Sequence, residues 1–181
     1  MRINHNKDNY TFLTTAPVGK VILTMAVPTV ISMLVTSIYN IVDTWYVGLL
    51  NTQATAAVGV AFPIMSAIQA VGFFFGQGSG TYVSRKLGAK ETQLASRMIA
   101  TSFICALLFG SAVSLFCLLF LEPLSVALGS SPTILPYTMQ YLGIVALGAP
   151  FMTGSMVLNN QMRFQGNARN AMYGMLTGAV L

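Results

Sequence analysis

The chain has 181 residues, of which 55% are hydrophobic and only 7% are charged, and its formal net charge is +5. Soluble domains carry about a quarter charged residues, so this composition indicates an integral membrane protein in contact with the lipid bilayer. The cations stand in short clusters without interleaved aromatic residues, which argues against a nucleic-acid partner and is explained by attraction to anionic lipid headgroups.

Long apolar segments recur along the chain, and most can hold the roughly 20 residues that a helix needs to cross a bilayer. A polar tail over residues 1–17 precedes a transmembrane lobe over residues 18–181. The predicted spans cover residues 18–47, 54–85, 92–120, 133–161 and 168–181. The last span would be about 21 Å long, too short for a hydrocarbon core of about 30 Å, so it is predicted to be incomplete. The expected fold class is therefore all-α, a polytopic bundle of transmembrane helices that forms the front part of a longer protein.

The cations also predict an orientation. All nine Lys and Arg residues fall on one side of the predicted spans, and the connections around residues 49–53 and 121–131 contain none. By the positive-inside rule, the N-terminus and the basic turns near Lys86 and Arg169 lie in the cytoplasm. We therefore predict a multi-pass protein of the cell membrane.

The stretch YNIVDTWYVG places an aspartate, Asp43, near the end of the first apolar run. At 3.6 residues per turn, this span carries a single polar stripe. Its members are Ser32, Thr36, Tyr39, Asn40 and Asp43. Such a stripe would be costly against lipid, so we expect it to face the bundle interior or a cavity. The alternative is an interfacial Asp43, beside Trp45 and Tyr46, whose carboxylate only reaches the headgroups.

The stripe has the chemistry of a cation site. A carboxylate in a poorly hydrated cavity loses solvation of its charged form, so it can bind and release a proton near neutral pH. With hydroxyl and amide oxygens around it, the same carboxylate can hold Na⁺. Pro28 lacks a backbone N–H, and we expect the first helix to bend there.

The second span repeats a small residue at every fourth position: Gly72, Gly76, Gly80 and Ser84. This spacing predicts a ridge against which another helix packs closely, and flexibility for rocking motions is the alternative. Four amides in the spans are candidate cavity-lining residues: Gln69, Gln77, Asn159 and Asn160. For the two glutamines, the sequence does not separate pore lining from bonding to a neighbouring helix.

No enzyme or metal constellation is expected. The stretch GQGSG, from Gly76 to Gly80, resembles a phosphate loop only superficially, since no Lys-Ser/Thr follows it and no strand precedes it. The single histidine, His5, lies in the polar tail, and Asp43 has no second carboxylate inside the spans. Cys105 and Cys117 are about 18 Å apart along one predicted helix, beyond disulfide reach, so they are read as packing or lipid-facing residues. A membrane-embedded enzyme is a minor alternative, and no metal or other cofactor is predicted.

Four segments resemble, in order and spacing, the MATE family (multidrug and toxic compound extrusion). They are YNIVDTWYVG from Tyr39, QATAAVGVAFPI from Gln53, VSRKLGAKE from Val83 and NNQMRFQGNARNAM from Asn159. The resemblance implies the first five or so helices of a twelve-helix transporter with two lobes, the remaining helices belonging to the same full-length chain. It also implies export of drugs or organic cations in exchange for H⁺ or Na⁺. Phe164 stands where many members of the family have glycine. In this respect the chain resembles one subgroup of the family, the bacterial drug exporters.

The resemblance places Asp43 on the first-helix acid that such transporters use for cation coupling. The predicted coupling site is Asp43 with Thr36, Tyr39 and Asn40, and H⁺ or Na⁺ is the coupling ion. Two other function classes remain. A lipid-linked sugar flippase of a related family would be expected to need cations in its cavity, and the predicted span interiors contain none. A scaffold subunit would not need Asp43.

Overall fold

The computed structural model describes residues 11, 12 and 15–180, without the side chains of residues 43, 50, 179 and 180. Most of the predicted N-terminal tail, including His5, and the last residue of the final span lie outside the described residues. The elements are α1 (Val18–Leu50), α2 (Thr52–Gly88), α3 (Thr92–Leu119), α4 (Leu121–Ala127), α5 (Leu135–Phe164) and α6 (Ala168–Val180). Helices α1, α2, α3 and α5 are long and apolar enough to cross a membrane. The predicted all-α bundle is confirmed.

Local signals explain several helix ends. The side-chain oxygen of Asn51 accepts a hydrogen bond from the N–H of Ala54 at 2.6 Å and so caps the start of α2. Gly166 follows α5 with φ 78° and donates its N–H to the carbonyl of Arg163. Gly129 follows α4 with φ 99°. Both glycines adopt the left-handed conformation that ends many helices and that other residues adopt only at a cost.

The connection between the third and fourth predicted spans differs from the expectation. A segment without a helix is expected over residues 121–131, but α4 occupies seven residues of it. Pro123 fits this short helix because a proline in the first turn removes no intrahelical hydrogen bond. Helix α5 begins at Leu135 and not at residue 133, after a turn in which the carbonyl of Ser131 accepts the Leu135 N–H at 2.9 Å.

Helix α5 lies at the centre of the bundle. It packs against α2 and against α3, and these two helices also contact each other. Helix α1 packs against α6 and more lightly against α2, while α6 contacts α5. The core is therefore the trio α2, α3 and α5, and α1 flanks it mainly through α6.

Helix α3 carries a second ridge of small residues that was missed from the sequence. Its buried members recur at every fourth position: Ser102, Ala106, Gly110 and Ser114. The ridge packs against α5, where the hydroxyl of Thr153 donates to the carbonyl of Ala106 at 3.2 Å. The spacing is the same as in the α2 ridge and was the signal that could have revealed it.

Candidate functional site

The inner half of the α1 stripe is bonded within its own helix. Ser32 is buried, and its hydroxyl donates to the carbonyl of Pro28 at 2.8 Å. The hydroxyl of Thr36 donates to the carbonyl of Ser32 at 2.9 Å. These bonds use the hydroxyl protons and leave the oxygen lone pairs as acceptors for a donor or a cation. They also lie directly after Pro28, where the helix has lost one backbone donor.

From Thr36 onward, the described side chains of the stripe are exposed. Thr36, Tyr39 and Asn40 are all exposed, with Tyr39 at 52%. A shallow recess of about 440 Å³ lies on this part of α1, and it is lined by Asn40, Ile41, Thr44 and Trp45. Asp43 belongs to the same stretch of helix, but its side chain is outside the described part of the structure. Its role in cation coupling stays a prediction.

Asn159 and Asn160 point to different neighbours. The side-chain amide of Asn159 donates to the carbonyl of Ala171 at 3.0 Å and so joins α5 to α6. The amide of Asn160 donates to the carbonyl of Met156 in its own helix at 2.9 Å. Asn159 thus lies on the side of α5 that faces α6. The sequence predicts both amides as candidate cavity-lining residues, and the structure gives each a different contact.

The glycine ridge of α2 lies against α5. A Cβ built on Gly72 would be 3.0 Å from both Cβ and Sδ of Met156. A Cβ built on Gly76 would be 3.0 Å from the Nδ2 atom of Asn160. Contacts between real Cβ atoms and their neighbours are seldom this short, so the two helices approach closely because these positions lack side chains.

The same close approach continues to the end of both helices. A Cβ on Gly80 would overlap the ring of Phe164. The hydroxyl of Ser84 donates to the carbonyl of Phe164 at 3.2 Å and to that of Gly80 at 3.0 Å. The α2 ridge therefore packs along α5, and its last member adds a hydrogen bond between the helix ends.

Gln161 forms a polar contact in the core that was missed from the sequence. It is 1% exposed, and its Nε2 donates to the hydroxyl oxygen of Ser79 on α2 at 3.2 Å and to that of Ser102 on α3. Both serine hydroxyls in turn donate to carbonyls of their own helices. One amide thus links all three core helices. Its Oε1 atom is buried and has no hydrogen-bond donor among the described residues.

The signal for this contact was the run Asn159, Asn160 and Gln161 in an otherwise apolar helix. Successive residues point about 100° apart around a helix, so three adjacent amides face three directions. In this bundle those directions lead to α6, to the glycine ridge of α2 and to the serines of α2 and α3. A polar run at the centre of a bundle can therefore serve packing between several helices at once.

The two glutamines of α2 are both exposed. Gln77 lines a groove between α2 and α3, together with Ser79 and Ser102. Gln69, eight residues earlier, is exposed. Within the described ranges, no group of three His, Cys, Asp or Glu side chains is placed to hold a metal ion. The thiols of Cys105 and Cys117 are free, Cys105 in the wall of the groove and Cys117 buried.

The comparisons with known proteins agree with one another on the family that this chain resembles. The family model MatE matches residues 28–181. The multidrug export protein MepA of Staphylococcus aureus (strain MRSA252) is 30% identical over 167 residues, which are 92% of this chain and 37% of MepA. An FAD transporter of Shewanella oneidensis is 28% identical over 175 residues, which are 97% of this chain and 38% of that protein.

Solved structures show the same likeness in three dimensions. A MOP superfamily transporter from Pyrococcus furiosus superimposes with a TM-score of 0.89 at 27% identity. The match covers 96% of this chain and 38% of that transporter. The chain therefore spans somewhat more than a third of the length of the proteins that it matches.

Proposed function

Since the chain belongs to the MATE family, we propose that it is the N-terminal lobe of a secondary active multidrug exporter in the cell membrane. The full-length protein would export organic cations and other drugs in exchange for H⁺ or Na⁺. The family match over residues 28–181 carries this proposal, and the similarity to MepA supports the drug-export activity.

The proposed coupling site is the α1 stripe. The carboxylate of Asp43 would bind the ion, and the oxygens of Thr36, Tyr39 and Asn40 would complete its shell when the ion is Na⁺. The packing of α1 supports a moving role, because this helix contacts the core mainly through α6 and only lightly through α2. Ion and drug must favour different conformations of the lobe, since a ligand shifts an equilibrium only by its difference in affinity. Bending at Pro28 is the proposed way in which α1 links the two events.

Organic cations fit this lobe better than a phosphorylated substrate. The similarity to an FAD transporter raises FAD as a second substrate class, and FAD carries an anionic pyrophosphate. Phosphates are held in proteins by arginine, lysine and backbone N–H groups. The described cations lie near the helix ends: Lys20, Arg85, Lys86, Lys90, Arg97, Arg163 and Arg169. The same placement argues against a lipid-linked sugar flippase.

The direct test is efflux of a cationic dye from cells that carry the full-length protein. We expect dye retention to rise when the gradient of the coupling ion is collapsed. Collapsing the proton gradient and the sodium gradient in turn therefore identifies that ion. Unlabelled FAD should not slow dye efflux. Dye efflux that persists after both gradients are collapsed would contradict coupling, and transport of FAD without transport of dye would contradict the substrate class.

The predicted topology has its own test. Single cysteines replacing Gln53 and Thr133, which are exposed in or next to the connections without Lys or Arg, should react with an impermeant thiol reagent added outside intact cells. A cysteine at Ala89, in the basic turn after α2, should react only after the membrane is opened, because the positive-inside rule keeps that turn in the cytoplasm. The background lacks Cys105 and Cys117. Outside labelling at position 89 would reverse the orientation.

A further inference from the structure

A groove of about 820 Å³ runs between α2 and α3. Its volume lies within the range of about 300–1,000 Å³ that is usual for sites that bind small molecules. The walls are apolar and include Phe73 and Phe74 of α2 and Met98 of α3. The buried hydroxyls of Ser79 and Ser102 form its floor, and behind them both accept hydrogen bonds from α5. The groove is therefore an apolar channel closed on one side by the bundle core.

The groove leads to two arginines at one end of the bundle. Along α2, Arg85 lies two turns, or about 10 Å, beyond Gly78 on the same strip of the helix. Along α3, Arg97 lies one turn, or about 6 Å, before Thr101, which lines the groove. Both arginines are exposed. By helical rise, the two arginines thus lie beyond the lining residues of the groove, one on each of the two helices that form it.

The acid in the connecting turn does not neutralise this pair. Glu91 binds Lys86 through an ion pair of 2.7 Å between Oε2 and Nζ. That carboxylate is engaged with a lysine, so the mouth of the groove keeps a positive charge. Because α2 ends and α3 begins here, we expect the two guanidinium groups to lie at the depth of the lipid headgroups.

We propose that this groove binds one anionic phospholipid, with its phosphate on Arg85 and Arg97 and one acyl chain along the apolar walls. Guanidinium groups match phosphate oxygens in geometry and charge, and basic pockets between transmembrane helices hold such headgroups. A cationic drug would be repelled at the mouth. In a zwitterionic phosphatidylcholine, the choline cation would offset the attraction of the phosphate to the two arginines. The bound lipid would connect α2 to α3 on the side that α5 does not cover.

The headgroup contact is tested with the purified full-length protein by measuring binding of phosphatidylglycerol and of phosphatidylcholine with identical acyl chains. Each juxtamembrane cation near an anionic headgroup contributes about fivefold in affinity, so the double variant Arg85→Gln/Arg97→Gln should bind phosphatidylglycerol about 25-fold more weakly. Binding of phosphatidylcholine should weaken much less, because its choline cation already offsets the attraction of its phosphate to the arginines. The matched control is Lys20→Gln/Arg169→Gln, which removes the same charge elsewhere and should behave like the parent. Equal loss in both double variants, or no loss in the first, would overturn the proposal.

The acyl-chain contact is tested with Gly78→Leu. A Cβ on Gly78 meets no atom within 4 Å, so the variant should fold like the parent and its leucine side chain should occupy the groove. We expect phosphatidylglycerol binding to weaken several-fold, while Gly59→Leu, at another open position of α2, keeps the affinity of the parent. Glycerol 3-phosphate, a headgroup without chains, should compete poorly. Unchanged binding by Gly78→Leu, or strong competition by glycerol 3-phosphate, would show that the arginines hold a phosphate without a lipid in the groove.

Discussion

Replacing Gly110 by leucine is expected to prevent most of the full-length protein from accumulating in a folded form. A Cβ at this position would lie 3.1 Å from Cα of Pro150 and closer still to the hydroxyl of Thr153. That hydroxyl bonds to the carbonyl of Ala106 at 3.2 Å, so it holds the crossing of α3 and α5 in place. Overpacking of a tight core costs about 1–3 kcal/mol, and the cost rises when the backbone must move. The measurement is the yield and thermal unfolding temperature of detergent-extracted protein.

Leucine at Gly78 is the control, since it adds the same side chain to a neighbouring core helix at a position with open space. Its yield should match that of the parent. Gly80→Leu should lie between the two, because the Cβ meets the ring of Phe164, and a ring can rotate more readily than a backbone can shift. If Gly110→Leu accumulates and unfolds like the parent, the close crossing of α3 and α5 is wrong.

The long helices and the glycine ridge of α2 could be predicted because they are properties of one segment at a time. Apolar runs long enough to cross a bilayer mark α1, α2, α3 and α5, and glycine at every fourth position stands out in any helix. The α3 ridge has a weaker sequence signal, because serine and alanine are common in apolar helices and Gly110 is its single glycine. Helix α4 was missed because seven residues containing Pro123 read as a connection.

Contacts between helices could not be predicted, because the sequence does not say which helices face each other. Gln161 bonds to Ser79 and Ser102, which are 82 and 59 residues away along the chain. Periodicity shows that these residues lie on helix faces but does not pair the faces. The α1 stripe shows the same limit of periodicity. Periodicity places its polar residues on one face of the helix, but it does not show which part of the protein that face contacts, and Tyr39 and Asn40 are exposed.

Replacing Asp43 by asparagine is expected to abolish gradient-driven export while leaving the amount of inserted protein unchanged. The amide keeps the size and much of the hydrogen-bonding capacity of the carboxylate, but it cannot exchange a proton or offer a full charge to sodium. Asp43→Glu should be intermediate, because the carboxylate remains but its position shifts by one methylene. The measurement is substrate efflux from vesicles reconstituted with the full-length protein, under an imposed proton or sodium gradient and normalised to inserted protein.

A carboxylate at the same predicted side of the membrane provides the control. Glu122 is exposed in the first turn of α4, and Glu122→Gln removes one negative charge there without touching α1. Its efflux should equal that of the parent, which separates a specific loss at Asp43 from a general change in surface charge. An interfacial Asp43 would predict parent-like efflux for Asp43→Asn as well, since an amide at headgroup depth costs little and no coupling step depends on it. That result would return Asp43 to the interface beside Trp45 and Tyr46, and the coupling site would then have to lie outside the α1 stripe.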